Sequence, residues 1–266
     1  MSSTFVPGLL KGKVAFVTGG GSGITRRVAE RLAETGAKVG LLGRTPEKLD
    51  DAAKAIKAAG GDAKGFPADV RDFAAVDKAL AACVEAYGPI DIVVNGAAGN
   101  FPAPAVAMSA NGFKSVVDID LLGTFNVCRA AFDKLKKPGA SIINISASQA
   151  FQPAMMQVHV CAGKAGVDMV TRVLAMEWGG AGVRVNSVTP GPIADTEGMN
   201  RLAPTDDAKK NVTSCVPLGR FGTKDDVADL CVFLCSPAAS YVTGAIMVVD
   251  GGMNLGGSDQ LLRGLG

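Results

Sequence analysis

Lys164 closes the stretch V-H-V-C-A-G-K, and the residue four places before it is Val160. Residues four apart on a helix share a face, so a tyrosine at that position would stand beside the ammonium and protonate a carbonyl oxygen. No such phenol is on offer. The chain holds two tyrosines, Tyr87 and Tyr241, and one histidine, His159. An imidazole with an unperturbed pKa near ~6.5 can give a proton around neutrality. His159, however, adjoins Val160, and neighbouring helical residues point about 100° apart. The remaining groups suited to proton and oxyanion chemistry are Asp120 in D-I-D-L-L-G-T-F and Asn100 in N-G-A-A-G-N-F.

A second set of residues is suited to holding an anion. The segment T-G-G-G-S-G-I-T-R-R, Thr18 to Arg27, follows an apolar run and precedes a helical pattern. Glycines at such a turn let backbone approach a pyrophosphate, and the helix N-terminus stabilises its charge. Gly19, Gly21, Ser22, Gly23 and Ile24 are the candidate contacts. A G-K-[ST] triplet is absent, so an ATP-type cradle is excluded. The next apolar run ends L-L-G-R-T, with Gly43 where a carboxylate would hold an unphosphorylated ribose. Arg44 follows, with Arg26 and Arg27 nearby; guanidinium pairs bidentately with phosphate. The expected cofactor is therefore NADPH rather than NADH.

These groups must be positioned by alternating elements. Strand runs are expected at Val14–Thr18, Val39–Leu42, Ala63–Pro67, Ile90–Asn95, Ser141–Ile145, Val183–Val188 and Ala245–Val249. Most are continuously apolar, as in parallel strands covered on both faces. Helical patterns lie at Gly23–Thr35, Pro46–Ala59, Phe73–Tyr87, Asn111–Leu135, Val158–Trp178, Lys209–Val212 with an upstream extension, and Lys224–Cys235. The alternation predicts an α/β fold, a single doubly wound parallel (Rossmann) sheet of about seven strands with helices on both faces, and one domain over 1–266. The segment 194–218 is the least regular and is expected to be the most mobile.

Composition narrows the partners. Of 266 residues, 48% are hydrophobic and 20% charged, enough for a large core. A net charge of +2 without a basic block gives no reason to expect nucleic acid or a membrane surface as partner. No apolar run reaches the ~18–20 residues of a membrane span, and the N-terminus lacks a signal-peptide core. Six scattered cysteines suggest a reduced, intracellular chain; Cys231 and Cys235, four apart, lack a second ligand pair, so no metal site is expected.

The glycine loop, A-D-V at Ala68–Val70, V-V-N-G-A-A-G at Val93–Gly99, the Lys164 helix and P-G-P-I at Pro190–Ile193 together resemble the short-chain dehydrogenase/reductase family across nearly the whole chain. That resemblance implies Asp69 near an adenine, Asn95 closing the cofactor site, Lys164 on the nicotinamide ribose, and Pro190, Gly191 and Ile193 at the nicotinamide end. Thr25 replaces the family's third loop glycine, placing a β-branched side chain beside the pyrophosphate, where its hydroxyl can donate to phosphate. Of the usual asparagine, serine, tyrosine and lysine, the matching positions are Asp120, Ala147, Val160 and Lys164.

A narrower likeness accounts for those losses. N-G-A-A-G-N-F, D-I-D at Asp118–Asp120, Q-V-H at Gln157–His159 and P-G-P-I-A-D-T-E-G resemble the peroxisomal-type 2,4-dienoyl-CoA reductases, which lack the tyrosine and carry aspartate with lysine. The resemblance implies NADPH-dependent reduction of a 2,4-dienoyl-CoA to a 3-enoyl-CoA. It places Arg44, Arg71, Phe101, Ser109 and Arg201 against the acyl-CoA and implies a homotetramer. In that chemistry hydride reaches the far end of the conjugated chain, charge spreads to the thioester oxygen, and the proton goes to carbon. Asn100 would serve the oxyanion, and Asp120 with Lys164 the proton; His159 would line the substrate. Ser146 and Ser148 flank the empty serine position as further acyl contacts. Peroxisomal members of that group end in a targeting tripeptide, whereas this chain ends L-L-R-G-L-G, so a bacterial cytoplasmic location is expected. A carbonyl reductase using His159, or a non-catalytic NADPH-binding protein, remain the alternatives.

Overall fold

Seven apolar runs pair side by side into one parallel sheet in the computed structural model, which describes residues 4–256. The strands are β1 (Val14–Thr18), β2 (Lys38–Gly43), β3 (Asp62–Pro67), β4 (Ile92–Asn95), β5 (Ser141–Ile145), β6 (Arg184–Pro190) and β7 (Ile246–Val249). Their order is β3-β2-β1-β4-β5-β6-β7. The winding reverses between β1 and β4, which opens a crevice at the carboxyl ends of those strands.

Period-two alternation explains the two cores. On one face Ala15, Val17, Val39, Leu41, Ile92, Val94 and Ile143 pack under α1 (Gly23–Glu34), α2 (Pro46–Ala58) and α9 (Lys224–Cys235). On the other, Val14, Phe16, Val93, Ile142 and Val185 pack under α3 (Phe73–Tyr87), α5 (Gly123–Phe132) and α6 (Val158–Trp178). Each fully buried Leu, Ile or Phe contributes roughly 1.5–3 kcal/mol of transfer free energy. Toward the carboxyl ends of β4, β5 and β6 the second face turns polar, at Asn95, Asn144 and Ser187, which stand in register. The core ends there and the site begins.

Two expectations change. The helix expected over Asn111–Leu135 is two helices, α4 (Ala110–Val117) and α5, joined by a π turn over Asp118–Leu122. A π turn inserts an extra residue into the helical ladder and is frequent at functional sites; here it carries Asp120, 1% exposed. The segment 194–218, expected to be the least regular, contains α7 (Glu197–Leu202), which was not expected, and α8 (Asp206–Ser214), which meets the helix expected at Lys209–Val212 with its upstream extension; each is capped by a threonine, Thr196 and Thr205. Short helices held by caps rather than by apolar period leave little trace in a hydrophobic pattern.

Candidate active site

A cavity of about 690 Å³ lies at the carboxyl edge of the sheet, bounded by the glycine loop, the loops after β4 and β5, α6 and the segment after β6. Its cofactor end is built by the first β-to-α turn. Gly19 adopts φ +69°, and a Cβ there would come within 2.9 Å of Gly96 O; Gly23 adopts φ +63° with open space where a side chain would be. Ser22 at the N-cap of α1 makes no capping bond, and no acid stands in the first turn. By contrast α3, α4, α7, α8 and α9 all have side-chain caps. The free amides of α1 are thus directed at the cavity with nothing negative beside them, which suits a pyrophosphate.

Gly19, Gly21, Ser22, Gly23, Ile24, Arg44 and Asp69 line this end, and Pro190, Gly191 and Ile193 the other. Arg44 is exposed and makes no ion pair among the described residues, whereas the other two arginines are committed. Arg26 binds Glu30 at 3.0 Å and Asp51 at 2.6 Å; Arg27 binds Glu34 at 2.6 Å and Asp225 at 2.7 Å. The expectation that they meet a ribose phosphate is corrected: acids on α1, α2 and α9 neutralise them. Asp69 is forked by Arg71, which lowers its pKa through their hydrogen bonds. Asn95 is off the cavity wall, donating to Asn144 Oδ1 at 2.9 Å and Cys128 Sγ at 3.2 Å. It holds the floor of the site rather than its surface. The Thr25 hydroxyl donates to Gly19 O at 2.8 Å, so it is spent inside the loop and not free for phosphate.

At the reacting end Lys164 Nζ stands 3.4 Å from Asp120 Oδ2 and donates to Ile145 O at 2.9 Å. Asp120 Oδ1 accepts from Gly99 N at 2.8 Å. Both side chains are buried, and both line the cavity together with Asn100 and Val160. Gln149 donates to Gln157, which donates to Asn100 Oδ1 at 3.3 Å. That chain occupies the carbonyl oxygen of Asn100 and leaves its amide hydrogens for the cavity. Gln149 and Gln157 were not legible as site residues, since glutamine has no chemistry of its own to flag. Neither tyrosine approaches: Tyr87 donates to Asp62 at 2.9 Å and Tyr241 is fully exposed.

The expected substrate residues are not gathered on the cavity wall. Arg71 is forked on Asp69, Arg201 is paired with Glu197, and the Ser109 hydroxyl accepts from Gly112 N as the cap of α4. His159 is fully buried, with both ring nitrogens unpartnered among the described residues, and its ring meets Phe101 edge-on at 4.6 Å between centroids. A histidine sealed this way is badly placed to serve as the acid of a carbonyl reductase. Ser146 and Ser148 do line the cavity.

Comparison with known proteins agrees with this geometry. The family profile described as enoyl-(acyl carrier protein) reductase matches residues 19–254. A peroxisomal 2,4-dienoyl-CoA reductase of Saccharomyces cerevisiae, named as producing (3E)-enoyl-CoA, is 46% identical over 251 residues, 93% of this chain and 86% of the relative. Its Arabidopsis thaliana counterpart is 42% identical over 263 residues, 95% and 88% of the two chains. Among solved structures, the citronellol catabolism dehydrogenase AtuB of Pseudomonas aeruginosa superposes with a TM-score of 0.85 at 38% identity, covering 96% of this chain and 100% of that one.

The yeast and plant relatives are named as peroxisomal, which overturns the expectation of a cytoplasmic enzyme. That expectation rested on residues 261–266, outside the described residues, whereas the identity runs through the folded body. Glycine loop, Asp120–Lys164 pair, sheet order and sequence identity converge: the chain belongs to the short-chain dehydrogenase/reductase family of oxidoreductases.

Proposed function

We propose that this protein reduces 2,4-dienoyl-CoA thioesters to 3-enoyl-CoA with NADPH, a step in the breakdown of unsaturated fatty acids, and that residues 1–266 act as one domain. The observation that carries the reading is the Asp120–Lys164 pair facing the same cavity as Asn100, with Val160 where a phenol would be. The names of the yeast and plant relatives support the substrate class.

When bound along the glycine loop, NADPH supplies the hydride. Arg44, which directly follows β2 and lines the cavity, is the cation for its ribose phosphate. Asn100 presents amide hydrogens to the thioester oxygen as charge spreads into the dienolate; a preorganised donor of this kind is commonly worth ~3–4 kcal/mol. Asp120 and Lys164 hold the proton that ends on carbon, a role typically worth about 10²–10⁴-fold. Lys164 also keeps positive potential beside the nicotinamide ribose. A ketone would need its alkoxide protonated in place, for which Val160 offers nothing.

For the acyl-CoA we propose Arg71, Phe101, Ser109, His159 and Arg201. All five are engaged with a neighbouring residue, Phe101 and His159 with each other, through an ion pair, cap or ring contact, so substrate must exchange with those partners. We further propose a homotetramer, supported by exposed apolar side chains on two adjacent helices: Met169, Val173 and Met176 on α6, and Phe125 on α5 beside Leu122 of the π turn. The deciding assay mixes NADPH with short and long 2,4-dienoyl-CoA esters. Equimolar loss of NADPH and of the conjugated thioester absorbance is expected; no consumption at any chain length would remove the proposal.

A further inference from the structure

Behind Lys164 a row of buried polar side chains crosses the sheet where the second core ends. Asn95 donates to Asn144, Asn144 Nδ2 donates to Thr171 Oγ1 at 2.8 Å, and Thr171 Oγ1 shares a hydrogen bond with Ser187 Oγ at 2.9 Å. The row reaches Asp168, one helical turn beyond Lys164 on α6 and 5% exposed. The Ser187 and Ser146 hydroxyls lie beside its carboxyl. Yet Asp168 Oδ1, Ser146 Oγ and Thr189 Oγ1 are buried without a hydrogen-bond partner among the described residues. Unpartnered buried polar atoms cost about 1–3 kcal/mol each, so three in one place call for a functional reason. Ser146 supplies one, because it lies on the cavity wall and directly follows Ile145, whose carbonyl anchors Lys164.

We infer that Asp168 is a positioning residue for the active site: with Ser146 it braces the β5 end that holds Lys164. Lys164 then stands between two carboxyl groups, Asp120 from the π turn and Asp168 from its own helix. The charged groups around Asp168 are Lys164 and Arg172 on α6, with Asp120 across Lys164; the facing positions of β5 and β6 are Asn144, Ser146, Ser187 and Thr189, none charged. Burial raises the Asp168 pKa, and the two serines and two cations oppose that rise.

The kinetic part of the test rests on the dienoyl-CoA reading; the spectroscopic part does not. Asp168→Asn and Ser146→Ala should each lower kcat about tenfold with KM within about twofold, a loss of the size expected when one polar contact behind Lys164 is weakened. The double variant should be no slower than the worse single one, because both residues act through one contact. Normal turnover in Ser146→Ala, or losses that multiply, would overturn the inference. Independently, the wild-type infrared spectrum titrated with pH should show a protonated carboxyl band that vanishes in Asp168→Asn and shifts in Ser146→Ala. A band indifferent to Ser146→Ala would sink the pairing whatever the substrate. If the wild type ignores dienoyl-CoA, that reading falls and the infrared result alone decides this one. If Asp168→Asn does not fold, Ser146→Ala decides by both measurements.

Discussion

Thr25 and Gly96 are fitted to one another across the mouth of the cofactor loop: a Cβ on Gly96 would stand 1.9 Å from Cγ2 of Thr25. The β-branched side chain in the glycine loop is accommodated because the facing loop, after β4, has no side chain at the point of contact. Thr25 also bonds Gly19 O, and the Thr18 hydroxyl accepts from Gly96 N and Ala97 N at 3.1 and 3.2 Å. The two loops therefore form one unit, with bulk on one side matched by its absence on the other.

Gly96→Ala should destabilise the chain by about 1–3 kcal/mol, the usual cost of overpacking. At roughly 2–4 °C of Tm per kcal/mol for a chain near this size, thermal melting will show it. Adding Thr25→Ala removes the clashing methyl and should restore part of the loss. A double variant melting below Gly96→Ala would contradict the fit.

Asp120→Ala should lower kcat by about 100-fold or more, in line with loss of a positioned proton-handling group. It also leaves Lys164 buried beside Ile145 O without its carboxylate, and breaking a buried pair typically costs about 3–5 kcal/mol. Asp120→Asn keeps the shape and the acceptor for Gly99 N, so its stability should be higher while its rate stays low. Stopped-flow assays at fixed folding state separate the two effects; near-normal rates in Asp120→Asn and Lys164→Ala would place the proton elsewhere.

Arg44 and Arg26 make opposite predictions although the sequence offers both as partners of a ribose phosphate: Arg44 lines the cavity and Arg26 does not. Arg44→Ala should raise KM for NADPH about 10–100-fold and leave NADH almost unchanged, as charge-assisted hydrogen bonds contribute roughly 1.5–3 kcal/mol. Arg26→Ala should alter neither by more than about twofold, since its guanidinium is held by Glu30 and Asp51. Steady-state kinetics with both cofactors distinguish the roles.

The sheet was legible because its inner strands are buried on both faces and therefore read as continuous apolar runs such as Val93–Val94 and Ile142–Ile143. The glycine loop and Lys164 were legible because backbone approach and ammonium chemistry restrict the residue type. The π turn at Asp118–Leu122 was not, since an inserted helical residue leaves the surrounding pattern helical. Nor was the commitment of Arg26 and Arg27 to acids as distant in sequence as Asp225. Which of several nearby arginines stays free is a property of tertiary contacts. The seam from Asn95 to Asp168 escaped for a related reason: its members are short polar residues with common structural uses, and only their register on adjacent strands joins them.

Asp168 also sets a pH dependence whose sign can be worked out. Burial is the largest influence on its carboxyl and raises its pKa in the folded chain, while the unfolded value is near ~3.9. Between the two values the folded chain binds more protons than the unfolded one, so this group's contribution to stability falls as pH rises. The contribution is fully present below about 3.9 and is lost as pH climbs to the folded pKa. Asparagine cannot ionise and escapes that loss. The Tm of Asp168→Asn minus that of the wild type should therefore be more positive near pH 8 than near pH 4, measured by calorimetry in matched buffers. Acids whose pKa values are lowered, Asp69 and Asp226 among them, destabilise both proteins alike at low pH and cancel in the difference. Equal differences at the two pH values would mean that Asp168 titrates as an ordinary solvated carboxylate.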